Sequence, residues 1–195
     1  NVTNKESPLW LQQRLKAIGL RPISALVDIT NYITYDLGRP LHVYDADKID
    51  GNLKMRFAKK NETCLTLDEE KRECNSDMIV ISDNQQLHGI GGCSIDTKNV
   101  FLEVALFDPI SVTKTGRHLK LQSDARYRFE RGIDATSIEW GVDAATNMIA
   151  DLCGGEVSNT VQTKILENKQ SKIIFNTNKV KSLGGLEISK DKQKS

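Results

Sequence analysis

The hydrophobic period of this chain changes twice, and that limits what it can fold into. From residue 7 to residue 38 apolar residues recur at helical spacing: Leu11, Leu15 and Ile18 in SPLWLQQRLKAIGL, then Leu26, Ile29, Ile33 and Leu37 in SALVDITNYITYDLG. From about residue 52 to residue 109 the runs are short and β-branched, in NLKMRFAKK, ETCLTLD, DMIVISD and NVFLEVALFDP, with polar turns between them. Helical spacing then returns over residues 134–152, where Ile138, Val142, Ala145, Ile149 and Leu152 share a face. Helices flanking a strand-rich middle predict an α+β fold, with mixed or antiparallel sheets packed against the helices and a pocket where sheet and helices meet.

The helix ends carry their own signals. Ser7 can cap the first helix with Pro8 at its first position, and Gly19 suits a left-handed close. Gly38 can end the second helix, and Pro40 bars its continuation. Pro109 limits the apolar strand and opens a short helical piece to about Arg117, while Asp134 or Thr136 can cap the helix that Gly154-Gly155 ends. Beyond it, GEVSNTVQ reads as a strand, ILENKQSK as a polar linker, KIIFN as the strand of a new module and NKVKSLGG as a short helix. The expected division is 1–6 as the end of a preceding linker, 7–163 as one domain, and 164–195 as linker and the start of another module.

Several classes of function are disfavoured. A net charge of +1 supplies no global field for nucleic acid, so any RNA contact needs a local patch. No run approaches the roughly 18 apolar residues that a spanning helix requires, and NVTNKESPLW has neither the basic start nor the apolar core of a secretory signal. Cys64, Cys74, Cys93 and Cys153 show no C-x-x-C spacing, which points to reduced structural thiols rather than zinc ligands. His42 with Asp45 and Asp47 is a poor metal signal, and GIGGC at residues 89–93 is neither a dinucleotide fingerprint nor a P-loop.

Glu103 is the most informative position. Alternation along residues 100–107 puts Phe101, Glu103, Ala105 and Phe107 on one face and Val100, Leu102, Val104 and Leu106 on the other, so both faces read as buried. A carboxylate embedded there needs a basic side chain, backbone N–H groups or a ligand hydroxyl. One reading is an ion pair with an arginine of residues 126–131; the other is a functional group. His42, in GRPLHVYD, is either a hydrogen-bonded turn residue or a group facing a cleft. SDARYRFERG, residues 123–132, interleaves arginines with aromatics, a pattern that suits RNA or a surface salt-bridge network. Ser123 is a nucleophile only with a base beside it, and no G-x-S-x-G elbow is present.

Taken in order, SPLWLQQRLKAIGLRPISALVDITNYITYDLGRPLHVYD, GIGG, VFLEVALFDP and SDARYRFERGID resemble the central editing domain, the third and fourth modules, of the bacterial phenylalanyl-tRNA synthetase beta subunit. The resemblance runs from about residue 7 to residue 160, and IIFNTNKVKSLGGL looks like the start of that subunit's next module. It implies an excised piece of a larger cytoplasmic subunit that hydrolyses tyrosyl-tRNA(Phe) after mischarging. The implied catalytic set is His42, Thr30, Asn31 and Arg21, bordering the ester and the terminal adenosine. Glu103 would accept from the tyrosine phenol, with Pro40, Gly91, Ser123 and Ala125 shaping the pocket. No metal or other cofactor is implied for editing; ATP and magnesium belong to the intact synthetase outside this chain. The implied partners are tRNA(Phe) and the alpha subunit of an alpha-beta heterotetramer, with no membrane. The glycine-rich loop is shorter than the family's usual form, which keeps a second reading open: a non-catalytic scaffold that helps to hold tRNA. A third reading is a general RNA-binding domain built on the arginine-aromatic run.

Overall fold

The computed structural model describes residues 1–65, 70–88, 92–163 and 172–193. The chain divides into two compact units, Asn1–Val161 and Gln162–Ser195. The first contains helices α1 (Leu9–Ala17), α2 (Ala25–Asp36), α3 (Pro109–His118), α4 (Asp124–Phe129) and α5 (Ser137–Cys153). Its strands are β1 (His42–Asp45), β2 (Lys54–Phe57), β3 (Glu62–Leu65), β4 (Lys71–Cys74), β5 (Ile79–Ser82) and β6 (Val100–Glu103). Among the described residues they form three antiparallel pairs, β1–β6, β2–β5 and β3–β4. The fold is α+β, as the change of period predicts.

The core is assembled on α2. Leu26, Ile29 and Ile33 are fully buried against Leu11 and Leu15 of α1, Ala145, Ile149 and Cys153 of α5, and Leu41 and Val43 at β1. Each leucine, isoleucine and valine among them contributes about 1.5 to 3 kcal/mol relative to exposure. A second cluster gathers Ala58, Cys64, Cys74, Met78 and Leu119. Gly38, at φ +66, turns the chain out of α2. Pro109 occupies the first turn of α3, whose Asp108 cap accepts from the Ser111 N–H.

Several local expectations change. Ser7 does not cap α1: its hydroxyl donates to Asp28, a fully buried carboxylate that also accepts from the Ile23 N–H. Ile18 and Leu37, expected on the buried faces, lie just past their helix ends and are exposed. The buried stripe of α5 is Ser137, Gly141, Ala145, Ile149 and Cys153, not the line of its largest residues. Its small residues allow closer approach, so backbone proximity rather than side-chain size sets the face. No side chain caps this helix; Asp134 instead accepts from the Thr136 N–H.

The strands differ as well. β1 occupies the stretch read as a corner, and β4 was not expected. β6 ends at Glu103, leaving Val104–Asp108 outside the ladder. Its faces are not both buried: Phe101 is 42% exposed and Val100, Leu102 and Glu103 are half-buried. GEVSNTVQ forms no strand, with Val157 and Val161 exposed and no ladder partner among the described residues.

In the second unit α6 (Asn178–Gly184) matches the expected short helix and closes at Gly185, φ +69. KIIFN is not a strand there; Ile173, Ile174 and Phe175 are exposed and no ladder partner is described for them. All but the last residue of ILENKQSK lies outside the described residues.

Candidate functional site

The β1–β6 ribbon presents different chemistry on its two faces. Its register pairs His42 with Glu103, Val43 with Leu102, Tyr44 with Phe101 and Asp45 with Val100. Alternation therefore puts Val43, Val100 and Leu102 against the core and groups His42, Tyr44, Phe101 and Glu103 on the other side. Residues directly opposite in an antiparallel pair lie close enough for side chains to bond, and His42 Nδ1 stands 2.8 Å from Glu103 Oε2. The carboxylate side chain is 15% exposed and the imidazole 34%.

The chemistry of the pair follows from its donors. A carboxylate accepts and does not donate, so Nδ1 carries the proton toward Glu103 and the other ring nitrogen, Nε2, is left for a second partner. Glu103 Oε1 likewise has no partner among the described residues. The expected ion pair with an arginine of residues 126–131 is not formed. Arg126 pairs with Glu130 at 3.2 Å, Arg128 with Asp124 at 3.2 Å and Arg131 with Glu130 at 2.8 Å. The arginine-aromatic run is thus a salt-bridge network in which Arg128 also stacks over Tyr35 and Arg131 over Tyr127.

Two groups that sequence reasoning missed surround the pair. Tyr44 is buried beside it, and burial, followed by the Glu103 charge, pushes its hydroxyl well above the usual phenol range. The Tyr44 ring also meets His88 edge-on at 5.7 Å. His88 Nε2 is 2.9 Å from Asp83 Oδ2. Burial of Asp83 works against its charge, but N–H groups of Gln86, Asp50 and Gln85 and the His88 ring outweigh it and hold the carboxyl low. The second missed group is Arg39, fully buried, with Nη2 donating to the Ala105 carbonyl at 2.5 Å. A faint signal existed: Arg39 shares parity with Leu41 and Val43, both core residues, and Pro40 keeps it extended.

The remaining expected residues occupy scattered positions. Thr30 and Asn31 are half-buried on α2, and the Thr30 hydroxyl donates to the Val27 carbonyl at 2.7 Å. Arg21 is exposed between α1 and α2, and Pro40 is buried. Neither Thr30, Asn31 nor Arg21 hydrogen-bonds to the His42–Glu103 pair. Ser123 caps α4, its Oγ accepting from the Arg126 N–H at 3.1 Å, and Ala125 is half-buried in the same turn. Among the described residues no base is bonded to Ser123. Tyr35 donates its hydroxyl to Asp124, which ties this turn to α2. Gly91 lies outside the described residues.

Asp45 and Asp47 are engaged elsewhere, by Thr97 and Lys48 and by Asn99 respectively. No cluster suited to a metal ion occurs among the described residues, and no described helix is long and apolar enough to cross a membrane. A cavity of about 310 Å³ is bordered by Leu37 just past α2, Tyr127 of α4, Arg131 and Ile133 between α4 and α5, and Trp140 of α5.

Comparison with known proteins converges on one group. A family model described as B3/4 domain matches residues 1–154. The phenylalanine–tRNA ligase beta subunit of Ruegeria pomeroyi is 46% identical over 202 residues, spanning 100% of this chain and 25% of that protein. The beta subunit of Paramagnetospirillum magneticum is 48% identical over 196 residues, covering 96% of this chain and 25% of its own length. That of the Wolbachia of Brugia malayi is 45% identical over 199 residues, with 98% and 25% covered. The chain thus spans about a quarter of the length of the curated relatives it matches.

Proposed function

The chain belongs to the B3/4 domain family, and from that premise we propose that it is the editing part of a phenylalanine–tRNA ligase beta subunit, hydrolysing tyrosine from mischarged tRNA(Phe). The observation that carries this reading is the His42–Glu103 pair on the ribbon face opposite the core. It offers an imidazole and a half-buried carboxylate with one oxygen unengaged.

Tyrosine and phenylalanine share a ring, so apolar burial alone separates them poorly. A site built to receive a hydroxyl rejects the analogue that lacks it, because the buried acceptor is left unpaired, and the ratio reaches roughly 10⁴–10⁵ in favourable cases. The phenol O–H of tyrosine donates to Glu103 Oε1 while His42 retains Oε2. His42 Nε2 orients the attacking water. Water adds its oxygen to the ester carbonyl, the carbon–oxygen bond to the ribose breaks, tyrosine departs as the acid, and the ribose oxygen takes the proton. A tRNA ester is already activated, so orientation supplies much of the rate. Thr30, Asn31 and Arg21 are assigned to the ester and terminal adenosine, and Pro40, Gly91, Ser123 and Ala125 to the pocket wall. No metal or other cofactor enters the hydrolysis; ATP and magnesium serve aminoacylation elsewhere in the ligase. The partners under this reading are tRNA(Phe) and the alpha subunit, in the cytoplasm.

The test is deacylation of tyrosyl-tRNA(Phe) against phenylalanyl-tRNA(Phe), with Glu103→Ala alongside. Selective release of tyrosine, lost in the variant, supports editing. Release from neither, here and in a complete ligase carrying the same sequence, overturns it in favour of a non-catalytic module that holds tRNA.

A further inference from the structure

Arg39 is 0% exposed, yet among the described residues its guanidinium makes a single hydrogen bond, from Nη2 to the Ala105 carbonyl. Its Nε and Nη1 are buried without a hydrogen-bond partner. The Phe129 ring lies 6.0 Å away, and α5 packs against the stem at Gly141, where an added Cβ would stand 3.0 Å from Arg39 Cγ. Desolvation opposes this charge, and the attraction that counters it comes from Glu103. A buried cation with idle donors is poor stabilisation, since an apolar side chain of similar volume commonly does as well or better. Stability therefore does not account for Arg39.

Its position does. Arg39 lies three residues before His42, and its one hydrogen bond reaches two residues beyond Glu103. We propose that Arg39 is the positioning residue of the His42–Glu103 pair, its buried charge balancing the carboxylate so that the imidazole stands neutral, Nδ1–H donated to Glu103 and Nε2 unprotonated. A carboxylate facing an imidazole alone favours the imidazolium. With the Arg39 charge interacting with Glu103, the array of guanidinium, carboxylate and neutral ring already sums to zero.

The surrounding groups do not supply that balance. Tyr44, on the same ribbon face, holds its proton. Across Tyr44, His88 is bonded to Asp83. α4 and α5 offer Phe129 and Gly141, which do not titrate. The use made of Nε2, to orient water, rests on the editing reading; the charge balance does not.

The experiment is ring-nitrogen NMR of the ¹⁵N-histidine-labelled 195-residue chain at neutral pH, in wild type, Arg39→Met and Arg39→Lys, with Glu103→Gln to assign His42. Wild type and Arg39→Lys are expected to show the neutral Nδ1–H tautomer. Arg39→Met is expected to move both His42 nitrogens to imidazolium positions while remaining as heat-stable as wild type. Should Arg39→Met fail to fold, Arg39→Gln removes the same charge with a polar stem. An imidazolium in wild type, or a neutral ring in the uncharged variant, overturns the proposal.

Deacylation supplies the second arm. Release of both esters is expected to slow roughly 10- to 100-fold in Arg39→Met, because a protonated Nε2 no longer accepts from the water, and to be retained by Arg39→Lys. Wild type that releases no tyrosine, both as this chain and within a complete ligase carrying the same sequence, overturns the editing reading, and the ring nitrogens alone then decide on Arg39.

Discussion

His42 and Glu103, 61 residues apart in sequence, stand directly opposite one another on β1 and β6 and share a 2.8 Å hydrogen bond. The ribbon holds a titratable base and a carboxylate in one geometry while its other face is anchored in the core by Val43 and Leu102. The two partners carry different roles in the editing reading, so their removal is expected to produce different losses.

Glu103→Ala is therefore expected to lose selectivity for tyrosyl ester before it loses all hydrolysis, by about 10- to 100-fold. His42→Ala is expected to slow release of both esters, because it takes away the group that orients water. Single-turnover deacylation of the two esters separates these effects. Equal losses for both esters in Glu103→Ala would remove the discriminating role.

Asp28 is the polar anchor between the start of α1 and α2, accepting from Ser7 Oγ at 2.5 Å and from the Ile23 N–H at 2.9 Å. Asp28→Ala leaves two donors without their acceptor and is expected to cost about 2 to 3 kcal/mol. Glu6→Ala, at an exposed neighbouring site, should stay within about 0.5 kcal/mol. Urea unfolding measures both, and equal costs would contradict this anchor.

Glu62 carries a pH prediction. Its hydrogen bonds from Arg56 lead, ahead of an opposing burial contribution, in holding its carboxyl down at about 2. A carboxyl lowered on folding adds stability that is fully present above its unfolded value, roughly 4.3, and lost as pH falls through the folded value. The stability difference between wild type and Glu62→Gln should hold steady from neutral pH to about 5 and decline between about 4 and 2. A difference independent of pH across that window would show that the pair contributes no such linkage.

Gly141 and Arg39 should be energetically coupled. An added Cβ at Gly141 already stands 3.0 Å from Arg39 Cγ, so Gly141→Val is expected to overpack the site by about 1 to 3 kcal/mol. In an Arg39→Ala background the cost should shrink, and a double-mutant cycle reads the difference. Strict additivity would mean that the two side chains do not compete for the same space.

The buried Cys74 thiol and the half-buried Cys93 thiol should be inert in the folded chain. Burial, then the neighbouring Cys64, pushes the Cys74 thiol up to about 12, and burial, then the Asp45 charge, pushes Cys93 up to about 11. Thiolate is the reactive form. Alkylation in mildly alkaline buffer is therefore expected to be slow at both until the chain is unfolded; rapid native-state labelling of Cys74 would contradict its burial.

What the sequence by itself determined is local. Helical spacing and terminal signals locate α1, α2, α3 and α5, because those preferences act within a few residues of one another. The same local reading singles out Glu103, a carboxylate in an apolar strand, and His42, a histidine at a proline corner. It misses β1 and overextends β6, because a four-residue strand is defined by a partner more than fifty residues away, whose register no local pattern encodes. Only the tertiary structure decided that the two unusual residues face each other. The arginines of residues 126–131 are engaged among their own neighbours, while a different arginine, Arg39, lies buried with its guanidinium on the Ala105 carbonyl, two residues past Glu103. The physical reason is that alternation assigns a residue to a face, but the charge opposite it depends on which distant segment closes against that face.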